Sequence, residues 1–378
     1  MRRLGLLTSI AVAVSFAATA LAAPAAPAAD LAYGDIVRVA PNTLMVVGRP
    51  LAAANGEADV ANTILYRAGD TLYVIDTGAT PSFRPFLRKA IDRLRPFRHV
   101  VLINTHGHPD HWGNNALVAG LRGVSFRHYM SRRDFPLADH YLAMLTDSLA
   151  TISGYVPGFD DPAAQARALV DLFPPLEQST KTRRAIESLP QRPVRIGRLG
   201  MRGWVFGNND IVVLRTAGHT RGELVVYFPK THLLHTADET VAYFPAWEES
   251  STSGTRRTFV RLLEAASGNA VRVFTDGHTF SVLRGPARIR EHIRALLDAY
   301  DAFAGVVRSR LEAAGSQGAT MSELIDAVTN APELQSAPGE GQGGAFFVAL
   351  QLLKELHQLH AVSTGDTRAT QRFSLPPS

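Results

Sequence analysis

The chain has 378 residues, of which 46% are hydrophobic and 19% are charged, and it contains no cysteine. This length suffices for two domains of ordinary size or one large α/β domain, and the composition excludes a disordered, collagen-like or coiled-coil chain. The lack of cysteine excludes disulfides, a thiolate nucleophile and sulfur metal ligands, so any metal ion must be held by nitrogen and oxygen.

The N-terminus has the pattern of a secretory signal peptide. Arg2 and Arg3 precede an apolar run over 4–21, and Ala20-Leu21-Ala22 fits a small-x-small cleavage site. We therefore expect a signal peptide over 1–22, a flexible spacer over 23–35 and a periplasmic or secreted protein with no membrane span after cleavage. The formal net charge of +5 includes both leader arginines and is spread evenly, so no nucleic-acid partner is expected.

The body of the chain alternates apolar β-rich runs with helical patterns, which is typical of an α/β fold. We predict a helix over 83–94 and strands over 43–47, 61–66, 71–75, 99–104, 204–206, 211–216, 224–228, 233–236 and 271–275. Residues 131–190 are interrupted by prolines and are interpreted as a helical insertion that covers the body.

A long helix over 286–311 leads to a boundary at Gly315. Beyond it, Thr320 and Glu323 form a capping-box pattern, a second helix is predicted over 346–359, and a small hairpin follows around Gly365. The order helix, helix, hairpin predicts a small winged-helix-like region over 315–378. Its second helix has little basic charge, which favours packing or homodimerisation over DNA binding.

The pattern His-x-His-x-Asp-His is formed by His106, His108, Asp110 and His111 directly after a buried strand. Residues two apart in an extended chain point to the same side, so His106 and His108 can meet one metal ion. Pro109 favours an extended His108 and suits the first turn of a helix, so the chain turns and Asp110 and His111 can face a second ion. Four residues of metal-ligating type within six positions predict a metal site.

Further ligand types follow later strands. His219, Asp238 and His278 each come after an apolar strand, where α/β folds build their sites, and are predicted to complete the metal shell. Asp76 ends another strand and is predicted to orient a ligand histidine. Glu239 and Asp276 are interpreted as solvated or as supporting the ligands.

The remaining histidines lack this setting and are interpreted as structural: His99, His128, His140, His232, His235, His292, His357 and His360. A reservation applies to His235, which lies three residues before Asp238.

The order of these residues resembles the five-motif signature of the metallo-β-lactamase superfamily, over residues 36–290. The five motifs are Asp76, the His106–His111 pattern, His219, Asp238 and His278. The resemblance implies an αββα sandwich, with a catalytic domain over 36–314, and a dinuclear site that usually holds zinc; iron and manganese stay open. It also implies a ligand assignment. His106, His108 and His219 would hold the first ion, Asp110, His111 and His278 the second, and Asp238 would bridge them.

The stretch between His219 and Asp238 is also similar to the alkylsulfatase branch, in its spacing and in Tyr227-Phe228-Pro229. That branch usually carries glutamates where His219 and Asp238 stand, and it has long extra C-terminal domains where this chain has a short tail. β-Lactamases that place cysteine on the second zinc are disfavoured, because Asp238 stands there.

The expected reaction is attack by a hydroxide shared between two metal ions on an ester, lactone or β-lactam-type amide, with Asp110 orienting it and moving its proton. Aromatic residues near the ligands and in the cover predict a partly apolar small-molecule pocket, although packing explains them equally well. These are Trp112, Tyr243 and Trp247, with Tyr141, Tyr155, Phe159 and Phe244 as further candidates.

Three other functions stay open. Sulfate-ester hydrolysis is compatible with the same site, and an iron-dependent oxidoreductase would suit the same nitrogen and oxygen ligands. A nuclease that uses the C-terminal region is disfavoured by the leader and by the near-neutral tail.

Overall fold

The protein is described here by a computed structural model. The described residues are 31–49, 59–156, 161–171, 173, 181–242, 250–279, 281–335, 345–365, 367–368 and 370–376. The predicted signal peptide and most of the spacer lie outside them. Four of the predicted pocket residues also lie outside: Phe159, Tyr243, Phe244 and Trp247.

The first half of the chain forms a seven-stranded sheet whose strands follow one another in chain order. Strands β1 to β4 pair antiparallel, and β4 to β7 pair parallel. The parallel strand β5 is buried along most of its length and reads His-Val-Val-Leu-Ile, as expected for a strand covered on both faces. The strands are β1 (Ile36–Ala40), β2 (Thr43–Val46), β3 (Thr63–Ala68), β4 (Thr71–Ile75), β5 (His99–Ile103), β6 (Ser125–Met130) and β7 (Arg183–Ala185).

The second half forms another seven-stranded sheet, in the order β14-β13-β12-β11-β10-β9-β8. Its strands pair antiparallel except for β12 and β13, which are parallel. They are β8 (Arg192–Ile196), β9 (Leu199–Phe206), β10 (Ile211–Arg215), β11 (Leu224–Phe228), β12 (Leu233–His235), β13 (Val273–Thr275) and β14 (Leu283–Arg284).

The two sheets pack face to face around one apolar layer, to which Ile64 contributes from the first sheet and Phe228 from the second. Helix α1 (Arg84–Arg93) covers the outer face of the first sheet with Leu87. The outer face of the second sheet is covered by α6 (Thr252–Ala265) and α7 (Pro286–Ala314). Burial of each such large apolar side chain contributes about 1.5–3 kcal/mol. The order of layers is αββα, which confirms the predicted fold class.

The connection from the first sheet to the second contains two helices, α4 (Phe135–Ile152) and α5 (Pro162–Val170), which form the cover. It also contains strand β7, which the sequence analysis did not predict and which extends the first sheet by pairing with β6. Two short helices, α2 (Pro109–Trp112) and α3 (Asn115–Ala119), follow β5.

Residues 315–376, called the C-terminal unit below, contain α8 (Met321–Thr329), α9 (Ala345–Gln358) and a small antiparallel sheet in the order β15-β17-β16. The strands are β15 (Ala319–Thr320), β16 (Val362–Thr364) and β17 (Arg372–Ser374). The predicted capping box is present at the start of α8. Both helices share their apolar layer with α6 and α7.

Across the described ranges, the helices all fall short of the length or apolar character that a bilayer crossing demands.

A buried polar contact joins the two sheets at the N-terminal end of β10, away from the predicted metal ligands. The hydroxyl of Tyr73, in β4, donates to Oδ2 of Asp210, which precedes β10, at 3.1 Å. Lys230 donates to the other carboxylate oxygen at 2.6 Å. Burial and the charge of Asp210 raise the pKa of Tyr73, so its hydroxyl remains a donor.

We expect Asp210→Ala to lower the free energy of unfolding by about 1–3 kcal/mol, because the buried Tyr73 hydroxyl would lose its acceptor. Urea unfolding followed by circular dichroism measures this change. The control is Asp210→Ala combined with Tyr73→Phe, which removes the orphaned donor and should recover part of the loss. Simple addition of the two single losses would contradict this account.

Candidate metal centre

The predicted ligands meet at one edge of the sandwich because each follows the end of a strand. His106 follows β5, and His108 caps α2 in an extended conformation, with Pro109 as the first helical residue. This turn places Asp110 and His111 in the first turn of α2, directed towards a different point than His106 and His108. Both features agree with the prediction made from the position of Pro109.

The first cluster consists of His106, His108 and His219, with Asp238 beside them. Nε2 of His106 and Nε2 of His219 lie 2.9 and 3.0 Å from Nδ1 of His108. A single proton can link only two of three ring nitrogens, so this convergence is poorly satisfied by hydrogen bonds and fits a shared cation.

The second cluster consists of Asp110, His111, Asp238 and His278. Oδ2 of Asp110 lies 3.1 Å from Nε2 of both His111 and His278. Asp238 reaches the same two nitrogens at 3.3 Å, with Oδ1 towards His111 and Oδ2 towards His278. Within each cluster all ligand atoms lie within 4.8 Å of one another, so each could hold a metal ion.

Asp238 belongs to both clusters, which places it between the two positions, as the resemblance implied. All seven predicted ligands are at most 9% exposed. Burial of so many imidazoles and carboxylates is costly unless positive charge balances the carboxylates, and bound cations would supply that charge. The donor set therefore fits two ions held by nitrogen and oxygen.

Three carboxylates lie against the opposite nitrogen of three ligand histidines. The Nδ1 group of His111 donates to Asp76 at 2.8 Å, which agrees with the predicted role of Asp76. Nδ1 of His106 lies 3.1 Å from Oε2 of Glu223, and Nδ1 of His278 lies 3.1 Å from Oδ1 of Asp59. A carboxylate at Nδ1 keeps the proton there and leaves Nε2 free to bind a cation.

Glu223 and Asp59 were not predicted from the sequence. Glu223 is fully buried directly before β11, and one of its oxygens accepts from the backbone amide of Asp238 at 3.4 Å. An ionisable residue directly before a wholly apolar strand is the signal that could have indicated it. Asp59 had no such signal, because its contact with His278 forms only when the two sheets pack together.

Glu239 and Asp276 are buried, which excludes the solvated alternative and agrees with the other one, that they support the ligands. Glu239 accepts hydrogen bonds from the backbone amides of Gly218 and His219 at 2.8 and 3.1 Å. Asp276 accepts from the amide of His278 at 3.1 Å. Burial raises the pKa of Glu239 to about 7 and that of Asp276 to about 6. Both residues hold the ligand turns in place.

The ligand turns require unusual backbone. Asp76, Ala217 and Ala237 have positive φ angles of 58°, 64° and 47°, in the left-handed region that non-glycine residues rarely adopt. Each precedes or contacts a ligand, and such conformations persist only where the surroundings enforce them. At Gly277 a Cβ atom would lie 1.9 Å from Oδ1 of Asp238, so only glycine permits this ligand to pack against the next turn.

The two clusters differ in electrostatics. Burial lowers the pKa of His108 to about 4 and that of His219 to about 3, so these rings are neutral at pH 7. Burial alone would also lower the pKa of His111 and His278, but the carboxylates around them, Asp238 foremost, raise both pKa values well above the ordinary range. The second cluster therefore attracts positive charge more strongly than the first.

Trp112, predicted to line a substrate pocket, is 1% exposed and lies in a small apolar cluster with Met130 and Ala138. Its indole group donates to the carbonyl oxygen of Gly107 at 2.9 Å. Trp112 therefore packs against the loop that carries the ligands and has almost no exposed surface for a substrate to contact.

None of the eight other histidines, all of them described residues, belongs to either cluster. His235, the one given a reservation, is buried, with Nδ1 3.1 Å from the hydroxyl of Thr275. His128 is buried with Nε2 2.7 Å from Oδ1 of Asn104.

The metallo-beta-lactamase superfamily model matches residues 56–278, and the chain belongs to this superfamily, whose members are generally metal-dependent hydrolases. Comparison with curated proteins finds no match. Several solved structures share the fold.

A beta-lactamase domain protein from Burkholderia ambifaria has a TM-score of 0.60 at 18% identity, over 92% of this chain and 95% of that one. A metallo-beta-lactamase family protein from Thermus thermophilus has a TM-score of 0.56 at 17% identity, over 89% and 99%. A sec-alkylsulfatase from Pseudomonas sp. has a TM-score of 0.54 at 17% identity, over 85% of this chain and 49% of the sulfatase.

We expect His108→Ala to lose the first metal ion and all turnover, because only two ring nitrogens of that cluster would remain. Elemental analysis of the protein after gel filtration measures the metal content. His99→Ala is the control, because His99 is exposed at the start of β5 and its Nδ1 contacts Ser125. Unchanged metal content in His108→Ala would contradict the assignment.

We expect Glu223→Gln to weaken binding of the first ion by about 10–100-fold, because the amide keeps the size of the side chain but replaces the carboxyl group that lies against Nδ1 of His106. Competition with a chromophoric chelator measures the affinity. Glu355→Gln is the matched control, since Glu355 is also buried but lies in α9. Equal affinity of the Glu223 variant and the parent protein would refute the role given to Glu223.

Proposed function

We propose that this chain is an exported hydrolase that uses two zinc ions to cleave an ester, lactone or amide bond in a small, partly apolar molecule. The observation that carries this proposal is the pair of buried clusters that share Asp238. Zinc is favoured because imidazole and carboxylate ligands suit it, although the same donors would also accept iron. Export rests on the leader pattern in residues 1–22.

Zinc bound at both clusters would activate a water molecule near neutral pH and polarise the bond to be cleaved. The residues of this chain supply the remaining parts. Asp110 can give Oδ2 to the second cluster while Oδ1 orients the attacking water and accepts its proton. The same oxygen can then return the proton to the leaving group. Asp76, Asp59 and Glu223 keep the ligand histidines in the tautomer that this arrangement requires.

Sulfate-ester hydrolysis gains little support from the sequence similarity that raised it. Tyr227 and Phe228 belong to β11 and are buried, with Tyr227 facing the outer apolar layer and Phe228 the layer between the sheets. Their presence is explained by core packing. Alkyl sulfates are therefore kept as one arm of the test and not as a second proposal.

The test is proton release in a pH-stat, with the mature protein and four substrates: a β-lactam, an acyl lactone, an aryl ester and a long-chain alkyl sulfate. We expect turnover of one of the first three, its loss with chelator, and its return with added zinc. The His108→Ala variant is the inactive control. Turnover of the sulfate alone would replace the proposed bond class, and iron in the elemental analysis with no hydrolysis would favour the oxidoreductase.

A further inference from the structure

Helix α4 of the cover reaches the first metal cluster. The ring of Tyr141 lies edge-on to the ring of His108, with 5.8 Å between centroids, and Tyr141 is half-buried. A substrate that approaches the first cluster would therefore meet this side chain. The position of Tyr141 depends on what holds α4, and the two ends of the helix are held by different parts of the protein.

The first end of α4 is tied to the ligand loops. The carboxylate of Asp134, directly before the helix, accepts hydrogen bonds from the hydroxyl of Thr220 and the amide of Gly222, both at 2.7 Å. These two residues follow the ligand His219. One turn into the helix, Arg183 of β7 donates to Asp139 at 2.5 Å.

The helix then bends at His140, whose φ and ψ angles of −126° and 26° are not helical. Tyr141 is the first residue beyond this bend. It therefore belongs to the second half of the helix, over 141–152, and the contacts of Asp134 and Asp139 do not reach that half directly.

The second half of α4 packs against α5 through Leu145, Leu149 and Ala166, and its last turn is bound by the C-terminal unit. Arg368, in the turn between β16 and β17, donates to the carbonyl oxygens of Ala150 and Thr151, the latter at 2.8 Å. Carbonyl groups in the last turn of a helix have no partner within the helix, so a cation there stabilises the helix end. Beyond the helix, the hydroxyl of Tyr155 contacts Gln371, and its ring lies 6.2 Å from that of Phe373.

We propose that the hairpin of the C-terminal unit is a positioning element for the active site. Through Arg368 it holds the second half of α4, and so keeps Tyr141 over the first metal cluster, where Tyr141 contacts the apolar portion of the substrate. Arg368 is a positioning residue and Tyr141 determines specificity. The part concerning substrate rests on the function proposed above, whereas the part concerning α4 does not.

The test compares Arg368→Met with Arg372→Met in the full-length mature protein. Arg372 lies in the same hairpin, but its guanidinium donates to Gln317, Gly318 and Glu323, all within the C-terminal unit. Hydrogen exchange measured by mass spectrometry reports on peptides of α4. Steady-state kinetics with a short-chain and a long-chain aryl ester separate KM from kcat.

We expect Arg368→Met to speed exchange within 141–152 and to raise KM for the long-chain ester about tenfold, with kcat and metal content unchanged. Arg372→Met should change neither exchange nor KM. Arg368→Lys, which keeps one donor, should restore much of both. Tyr141→Leu should raise KM for the long-chain ester and leave that for the short-chain ester unchanged.

Equal effects of Arg368→Met and Arg372→Met would show that the hairpin stabilises the protein only in general, and would overturn the inference. Unaltered exchange in Arg368→Met would overturn it as well. If the parent protein cleaves no substrate, the proposed function fails, while the exchange comparison still decides whether the hairpin holds α4. If Arg368→Met does not fold, the comparison of Arg368→Gln with Arg372→Gln takes its place.

Discussion

The burial of many ionisable groups at one edge of the sandwich is the constraint on which the rest of this structure depends. Seven ligand side chains are almost completely removed from water, and Glu223, Glu239 and Asp276 are buried around them. Such an arrangement is stable only if each charge faces an opposite charge or a hydrogen-bond donor. The left-handed turns at Ala217 and Ala237 and the backbone amides that donate to Glu239 meet this requirement.

The same constraint makes the two metal positions unequal. The first is built mainly from neutral imidazoles that face one another, and the second from imidazoles that each face carboxylates. Carboxylate oxygens suit harder ions, and imidazole suits zinc and its neighbours. Asp238 couples the two, so a change in occupancy at one position alters the charge seen by the other.

Much of the fold and the candidate site follows from local sequence. Strand β11 has the predicted bounds, α1 differs from its predicted bounds by one residue at each end, and all seven predicted ligands lie in the two clusters. Their signal was local, because a polar residue after an apolar strand stands out in a short window. Apolar strands and the His-x-His-x-Asp-His pattern can both be recognised from residues that are adjacent in the chain.

What could not be predicted depends on contacts between distant segments. Asp59 and His278 approach each other only through the packing of both sheets, and β7 becomes a strand because β6 offers it an edge. The position of Trp112 next to the ligands suggested a pocket, but its buried indole group donates a hydrogen bond to the carbonyl oxygen of Gly107. The contact of Arg368 with α4 joins residues that lie 217 positions apart in the chain.

The division of the ligands between the two sheets has a consequence for when a metal ion can be acquired. Four ligands come from the first sheet and three from the second, so neither half alone offers a complete set for either ion. The first four are His106, His108, Asp110 and His111, and the other three are His219, Asp238 and His278. Tight capture must await the docking of one half on the other. Were the chain exported before it folds, as the proposed leader would allow, the ion that it keeps would be chosen by the compartment in which it folds and not by the one in which it is made.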